Sequence, residues 1–227
     1  MATLQTLDRG IKALFLIGSS EGGVTIGDVA SHLGVDRAIA YRVVATLEAN
    51  ALITRQPQGR LHIGSGVLRL EAGYLPQLRA MVAGELPTLA NATQATAFLS
   101  VADGQDCVAI LVSEPEKPIL RVGYRVGSRH PLAMGASGIA ILSARPPSTG
   151  DSDAVKQARA DGFCVSLGQL QKGAVGVAAP LARLERSGRP VEASVGVVAM
   201  EDLDIPRAAR LIRDFARRIE HRAGGEP

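Results

Sequence analysis

The sequence predicts an α+β protein in two parts: a small helical domain closed by a hairpin and, beyond a connecting helix, a larger domain on one mainly antiparallel sheet. Three observations predict it. Over residues 24–63, two short segments of helical periodicity flank a glycine and lead into two alternating segments. An amphipathic stretch is then interrupted at Pro76, which cannot continue a helix without losing a hydrogen bond. From residue 97 the apolar period changes to two. The boundaries are accordingly 1–64 for the first domain, 65–76 for the connecting helix and 77–227 for the second domain.

The first element is a helix over residues 4–17, with Leu7, Ile11, Leu14 and Phe15 on one face, expected to pack on the two helices that follow. Those two helices have the layout of a helix-turn-helix. Ala30 is small where the helices cross, Gly34 can take the positive φ of the turn, and Val43 is apolar on the inner face of the second helix. Asp36 stands at the N-cap of that second helix, which runs to about residue 50. Its apolar positions Ala40, Val43, Val44 and Leu47 turn Arg37, Ala38, Tyr41, Arg42 and Ala45 outward, where a DNA major groove would meet them.

Residues 52–55 and 60–63 alternate apolar and polar side chains around a turn at 56–59, which makes a wing. No carboxylate lies between Glu48 and Glu71, while Arg55, Arg60 and Arg69 do. The stretch can approach phosphates without repulsion, so duplex DNA is the expected partner and Arg55 and Arg60 the expected wing contacts.

In the second domain a helix over 77–92 is interrupted near Gly84 and Pro87. Strands are expected at 97–101 and 107–112, joined at Asp103-Gly104, and at 120–124, 163–166, 175–181 and 191–198. Helices are expected at 136–144, 152–161 and 206–222, and residues 143–153 read as a surface loop. A sheet with helices on one face would leave the other for a ligand.

Composition narrows the function classes. A formal charge of +3 over 227 residues is too small for a coat on bulk nucleic acid, so binding rests on a local patch. Cys107 and Cys164 lie in apolar runs and read as buried thiols in a reducing compartment. There is no secretory start and no run approaching the roughly 20 apolar residues of a bilayer span, so a soluble, cytoplasmic protein without a membrane partner is expected. Gly135-Ala136-Ser137-Gly138 lacks the last glycine of a nucleophile elbow, and His32, His62, His130 and His221 have no metal-ligand spacing. Neither an enzyme, a metal site nor a cofactor is expected. The run Arg207, Arg210, Arg213, Arg217, Arg218 and Arg222 is either a solvated face paired with residues such as Asp214 or a site for an acidic partner.

Four segments, GVDRAIAYRVVATLEANALI, GYRVGSRHPLAMGASGIAILS, GAVGVAAPL and RPVEASVGVV, occur in the order and spacing of one family. In them the chain resembles the IclR family of bacterial transcriptional regulators. The resemblance implies an N-terminal winged helix-turn-helix, a C-terminal effector-binding domain of GAF-like fold, a homodimer through the DNA-binding domains and often a homotetramer through the effector domains. It also implies operator binding modulated by a small organic acid, with repression the commoner outcome. Ala38 and Ile39 replace a frequent Ser-Thr early in the recognition helix, Ala51 replaces a glycine before the wing, and Gln169 replaces a frequent carboxylate.

Small residues at the start of the helix after Met134 leave the amides of Ala136, Ser137 and Gly138 uncovered, a seat for a carboxylate. Positions that hold polar ligand contacts in members binding very small acids correspond to Gly176, Val195 and Val197. The expected effector is therefore a more apolar, larger carboxylate. The alternative is a DNA-binding protein whose second domain only oligomerises and binds no effector.

Overall fold

The computed structural model describes residues 3–117, 123–182, 184–186, 189–200 and 202–223. The chain divides into two compact units, Met1–Pro76 and Gln77–Pro227.

The first unit contains α1 (Gln5–Gly18), α2 (Ile26–Leu33), α3 (Arg37–Ala49), the hairpin β1 (Ile53–Arg55) and β2 (Leu61–Ile63), and the short α4 (Gly66–Glu71). Its core joins Ala13 and Ile17 of α1 to Val29 and Ala30 of α2, to Ala40, Val43, Val44 and Leu47 of α3, and to Ile53 and Leu61 of the hairpin. Val24 bridges to Leu61 and ties the start of the motif to the wing. Gly34 ends α2 at φ 61°, the left-handed conformation the turn needs.

Three details depart from expectation. The face of α1 that packs carries Ala13 and Ile17, with Leu14 partly buried, whereas Leu7 and Phe15 are 60% and 74% exposed and Ile11 also faces solvent. Ala13 lets α1 approach its neighbours closely and Ile17 fills the core, while the apolar stripe of Leu7, Ile11 and Phe15 is left outside. Asp36 occupies the N-cap of α3 without a side-chain cap bond. The built cap is on α2: Thr25 Oγ1 accepts from the Asp28 amide (3.2 Å) and Asp28 accepts from the Thr25 amide (2.8 Å). Ala51, before the wing, lies at φ 56°, in the left-handed region that favours glycine.

Pro76, the last residue of the first unit, opens α5 (Pro76–Ala83), where its fixed φ suits a first helical residue, and in the second unit α6 (Leu86–Thr93) follows. Then come β3 (Thr96–Asp103), β4 (Asp106–Ser113), β5 (Arg129–Pro131), α7 (Gly135–Ala144), α8 (Asp153–Asp161), β6 (Cys164–Leu167), β7 (Ala174–Leu181), the small ladder β8 (Glu185–Arg186) and β9 (Arg189–Pro190), β10 (Ala193–Met200) and α9 (Ile205–Ala223). One antiparallel sheet of six strands has the order β5-β4-β3-β10-β7-β6. Of the strand expected at 120–124, residues 120–122 lie outside the described residues, and Gly123 and Tyr124 are not in a strand. At the edge of the sheet β5 pairs His130 with Cys107.

Helices cover both faces of the sheet, not one. Phe98, Ala178 and Val198 pack with Ala136, Ile139 and Ala140 of α7. Alternation sends Leu99, Val177, Val195 and Val197 to the opposite face, where α6 and α9 contact β3, β7 and β10. The free space therefore lies beside α7, not on a bare side of the sheet. Among the described residues no helix is long and apolar enough to cross a membrane.

Candidate functional site

Two surfaces concentrate functional chemistry, one in each unit. On α3 the four buried residues are Ala40, Val43, Val44 and Leu47, so Arg37, Ala38, Tyr41, Arg42 and Ala45 are all exposed, as their spacing predicts. Neither Arg37 nor Arg42 has an acidic partner among the described residues, and the first turn of α3 carries no acid. Two unpaired guanidiniums on the exposed face of α3, Arg37 in its first turn and Arg42 beside the exposed Tyr41 ring, form a cationic projecting edge that matches a groove lined by phosphates. Arg9 of α1 shares with Arg37 a hollow beside the Gly34 turn, a contribution that treating α1 as mere packing could not find.

The wing arginines are engaged within the unit. Arg55 sits 3.4 Å from Glu48 and over the Tyr41 ring at 5.9 Å, which links wing to recognition helix. Arg60 donates to the carbonyl of Gly23 at 2.9 Å, which anchors the wing to the loop before α2. Both residues set the position of the hairpin before they can meet any phosphate.

In the second unit a cavity of about 260 Å³ opens between the sheet and the start of α7. Its apolar side is the tilted pair Phe98 and Tyr124, with ring centroids 5.1 Å apart, together with Val198 and Leu170. Its polar side is a bonded chain. His130 Nδ1 lies 3.1 Å from the Pro131 carbonyl and Nε2 lies 3.1 Å from Ser137 Oγ. A carbonyl only accepts, so in the neutral ring Nδ1 carries the proton and Nε2 accepts from the serine. Burial pushes the Tyr124 phenol up, and Ser100 Oγ at 3.3 Å shares a hydrogen bond with it.

Of the expected effector contacts, Ala136, Ser137 and Gly176 line this cavity, and four others do not. Val195 and Val197 are fully buried on the opposite face; the wall is one residue out of phase, at Val198. A strand covered on both sides is apolar throughout, so its alternation does not reveal the phase. Gly138 is there for packing, since a Cβ would stand 2.4 Å from the Leu132 carbonyl oxygen. Met134 is the N-cap of α7 and points outside the cavity.

The amides at the head of α7 are also not all uncovered. Gly135 N donates to Gln169 Oε1 at 2.8 Å and Ala136 N to Ser166 Oγ at 3.0 Å. Gly176 makes the second bond possible: a Cβ there would stand 2.9 Å from Ser166 Oγ and 3.3 Å from Ala136 Cβ. Both cysteines are buried free thiols, with burial pushing Cys107 up and Cys164 up to about 11. Neither is a reactive thiolate at neutral pH.

Residues 6–57 match the IclR helix-turn-helix domain. The glycerol operon regulatory protein of Streptomyces griseus is 30% identical over 148 residues, covering 63% of this chain and 57% of that protein. The HTH-type transcriptional repressor AllR of Escherichia coli is 29% identical over 142 residues, covering 61% of this chain and 52% of that protein. The matches thus span little more than half the length of these curated relatives. Among solved structures, an IclR transcriptional regulator from Alicyclobacillus acidocaldarius has a TM-score of 0.76 at 21% identity, covering 98% of this chain and 100% of that one. An IclR homolog from Microbacterium hydrocarbonoxydans, complexed with 4-hydroxybenzoate, has a TM-score of 0.81 at 17% identity, covering 97% and 100%. These likenesses establish the fold of both units, and the relatives matched in sequence are regulators, not enzymes. The chain thus carries an IclR helix-turn-helix domain at residues 6–57 and, over nearly its whole length, the fold of solved IclR regulators.

Proposed function

We propose that the chain is a sequence-specific, DNA-binding transcriptional regulator of the cytoplasm, acting as a repressor whose hold on its operator is modulated by a small organic acid. The observation that carries this reading is the outward face of α3, where Arg37, Tyr41 and Arg42 project with no acidic partner among the described residues. Arg55 and Arg60 hold the wing beside that face. The reading predicts that selection from a random duplex library yields one preferred sequence, and that its affinity falls steeply with salt. Failure to select any sequence would overturn it.

The exposed stripe Leu4, Leu7, Ile11 and Phe15 on α1 is too apolar for a solvated helix face and supports a homodimer through the first units. Contacts between second units would complete a homotetramer. Such a dimer reads two half-sites, so the selected sequence should be pseudo-palindromic.

The effector proposed for the cavity is a carboxylic acid with an aromatic or extended apolar body. Phe98, Tyr124, Val198 and Leu170 would take the body, while Ser137, Ser166 and the Gly135 amide would take the polar end. The homolog complexed with 4-hydroxybenzoate supports an acid of this kind. Calorimetry over carboxylates of increasing length tests it, with the amide of the best acid as control. Tightest binding by a two-carbon acid, or equal binding by acid and amide, would contradict it. The capped amides of Gly135 and Ala136 favour one second reading, in which the unit binds no effector and only oligomerises.

A further inference from the structure

The six arginines of α9 divide into two sets with different work. Arg218 and Arg222 both pair with Glu85, just before α6, and so fasten the helix to its neighbour. Arg207, Arg210 and Arg213 have no acidic partner among the described residues, and Arg217 reaches only Asp214, at 3.9 Å between two exposed side chains. Steps of three and four residues place these four on one face, spread over about 15 Å of helix.

Folding does not account for this face. The helix is held by Ala208, Ala209, Ile212, Phe215, Ala216 and Ile219, which are buried. Like charges three or four residues apart destabilise a helix by about 0.2–0.5 kcal/mol each, and a cation in the first turn, as at Arg207, opposes the helix dipole. A merely solvated face would be expected to interleave carboxylates, yet Asp214 alone lies among the four.

The surface is also not flat. A cavity of about 340 Å³ lies against it, with Phe163, Pro206 and Ala209 as an apolar floor and Arg210, Arg213 and Arg217, together with the single carboxylate of Asp214, as its rim. All the cations are arginines, whose weakly hydrated planar groups bind carboxylates in bidentate fashion and tolerate apolar surroundings.

We propose that this face of α9, with the floor it shares with Phe163, is a docking surface for an acidic amphipathic segment of another protein. Carboxylates would sit on Arg210, Arg213 and Arg217, and an aliphatic or aromatic side chain between them would fill the floor. The apolar floor sets this occupant apart from a nucleic-acid backbone, which presents nothing to bury there.

The test is fluorescence anisotropy with the full chain and a labelled helical peptide carrying Glu residues on either side of a Leu and Phe stripe. Wild type should bind it, more weakly as salt rises. Arg210→Ala/Arg213→Ala should lose about tenfold in affinity, roughly 1.4 kcal/mol, while keeping its melting temperature. Arg210→Lys/Arg213→Lys should recover part of the loss, and a peptide with Gln for Glu, or polyglutamate, should bind worse. No binding by wild type, equal binding by the double alanine variant, or equal binding of polyglutamate would overturn the proposal. So would a preference of the same arginines for a random duplex, or a change of oligomeric mass in the double variant, which would give the face to DNA or to a second copy.

Discussion

The amide of Gly135 at the head of α7 donates to the side-chain oxygen of Gln169, 2.8 Å away. Residue 169 thus occupies, from within, the position proposed for an effector carboxylate. The loop that carries it is a tight hairpin with Gly168 at φ 64° and Gly173 at φ 78°, closed by the Gly168 amide on the Ala174 carbonyl. Gln169→Ala frees one donor, so carboxylates should bind about three- to tenfold tighter, in line with about 1 kcal/mol for a hydrogen bond no longer contested. Gln169→Glu should bind acids worse, because it places a like charge at the seat. Calorimetry reads both, and identical acid affinities in all three proteins would place the carboxylate elsewhere.

Ala51 is the residue most open to improvement. At φ 56° its Cβ opposes the left-handed conformation, and its carbonyl is hemmed in: a Cβ on Gly64 would stand 2.3 Å from it. Ala51→Gly should stabilise the protein by about 0.5 to 1 kcal/mol in denaturant unfolding, the strain relieved less the added freedom of the unfolded chain. A loss of stability would mean that the junction before the wing is not strained.

The cap on α2 should show in both stability and pH dependence. Thr25→Ala should cost about 1 kcal/mol, by loss of the Thr25 side-chain cap. Hydrogen bonds from the Thr25 backbone and then its hydroxyl hold the Asp28 carboxyl below its ordinary value of 3.8. A carboxyl lowered by folding contributes stability above its unfolded value, and the contribution is lost as pH falls through the folded one. The melting temperature of wild type should therefore drop on acidification below 3.8, and that drop should be shallower in Asp28→Asn. Parallel curves for the two proteins would deny the carboxylate this role.

The wing arginines should act through position. Arg60→Ala releases the Gly23 carbonyl and Arg55→Ala releases Glu48 and Tyr41, so each should lower the melting temperature slightly as well as the affinity for every duplex. Engaged as they are, the pair should remove less than the roughly two units of salt slope that two free phosphate contacts would give. A full two-unit loss without any change in melting would show that the internal contacts give way to phosphate on binding.

Legibility in the sequence followed the physics of each element. The α2–α3 motif was readable because Gly34 and the inward residues of α3 are local requirements with one solution. The packing face of α1 was not, because Leu7, Ile11 and Phe15 form as good a stripe as Ala13 and Ile17, and periodicity does not distinguish a core from a surface left for a partner. In the second unit the helices and most strands were readable, but β10 is buried on both sides, and the phase that exchanges Val195 and Val197 for Val198 comes only from pairing. The occupancy of α7's amides was out of reach for another reason. Gln169 and Ser166 lie 34 and 30 residues from Gly135 and Ala136, and only the register of β6 on β7 brings them there.

The central claim, that the outer face of α3 reads a DNA sequence, is tested most directly by quantitative binding of wild type, Arg37→Ala and Arg42→Ala to one selected operator and one random duplex. Each substitution should remove about 1 to 3 kcal/mol from operator binding, roughly fivefold to a hundredfold, with the fold and melting temperature intact. A base contact would show as a loss confined to the operator, and a phosphate contact as an equal loss on both duplexes. Operator affinities equal to wild type in both variants would contradict the account and remove α3 from the interface.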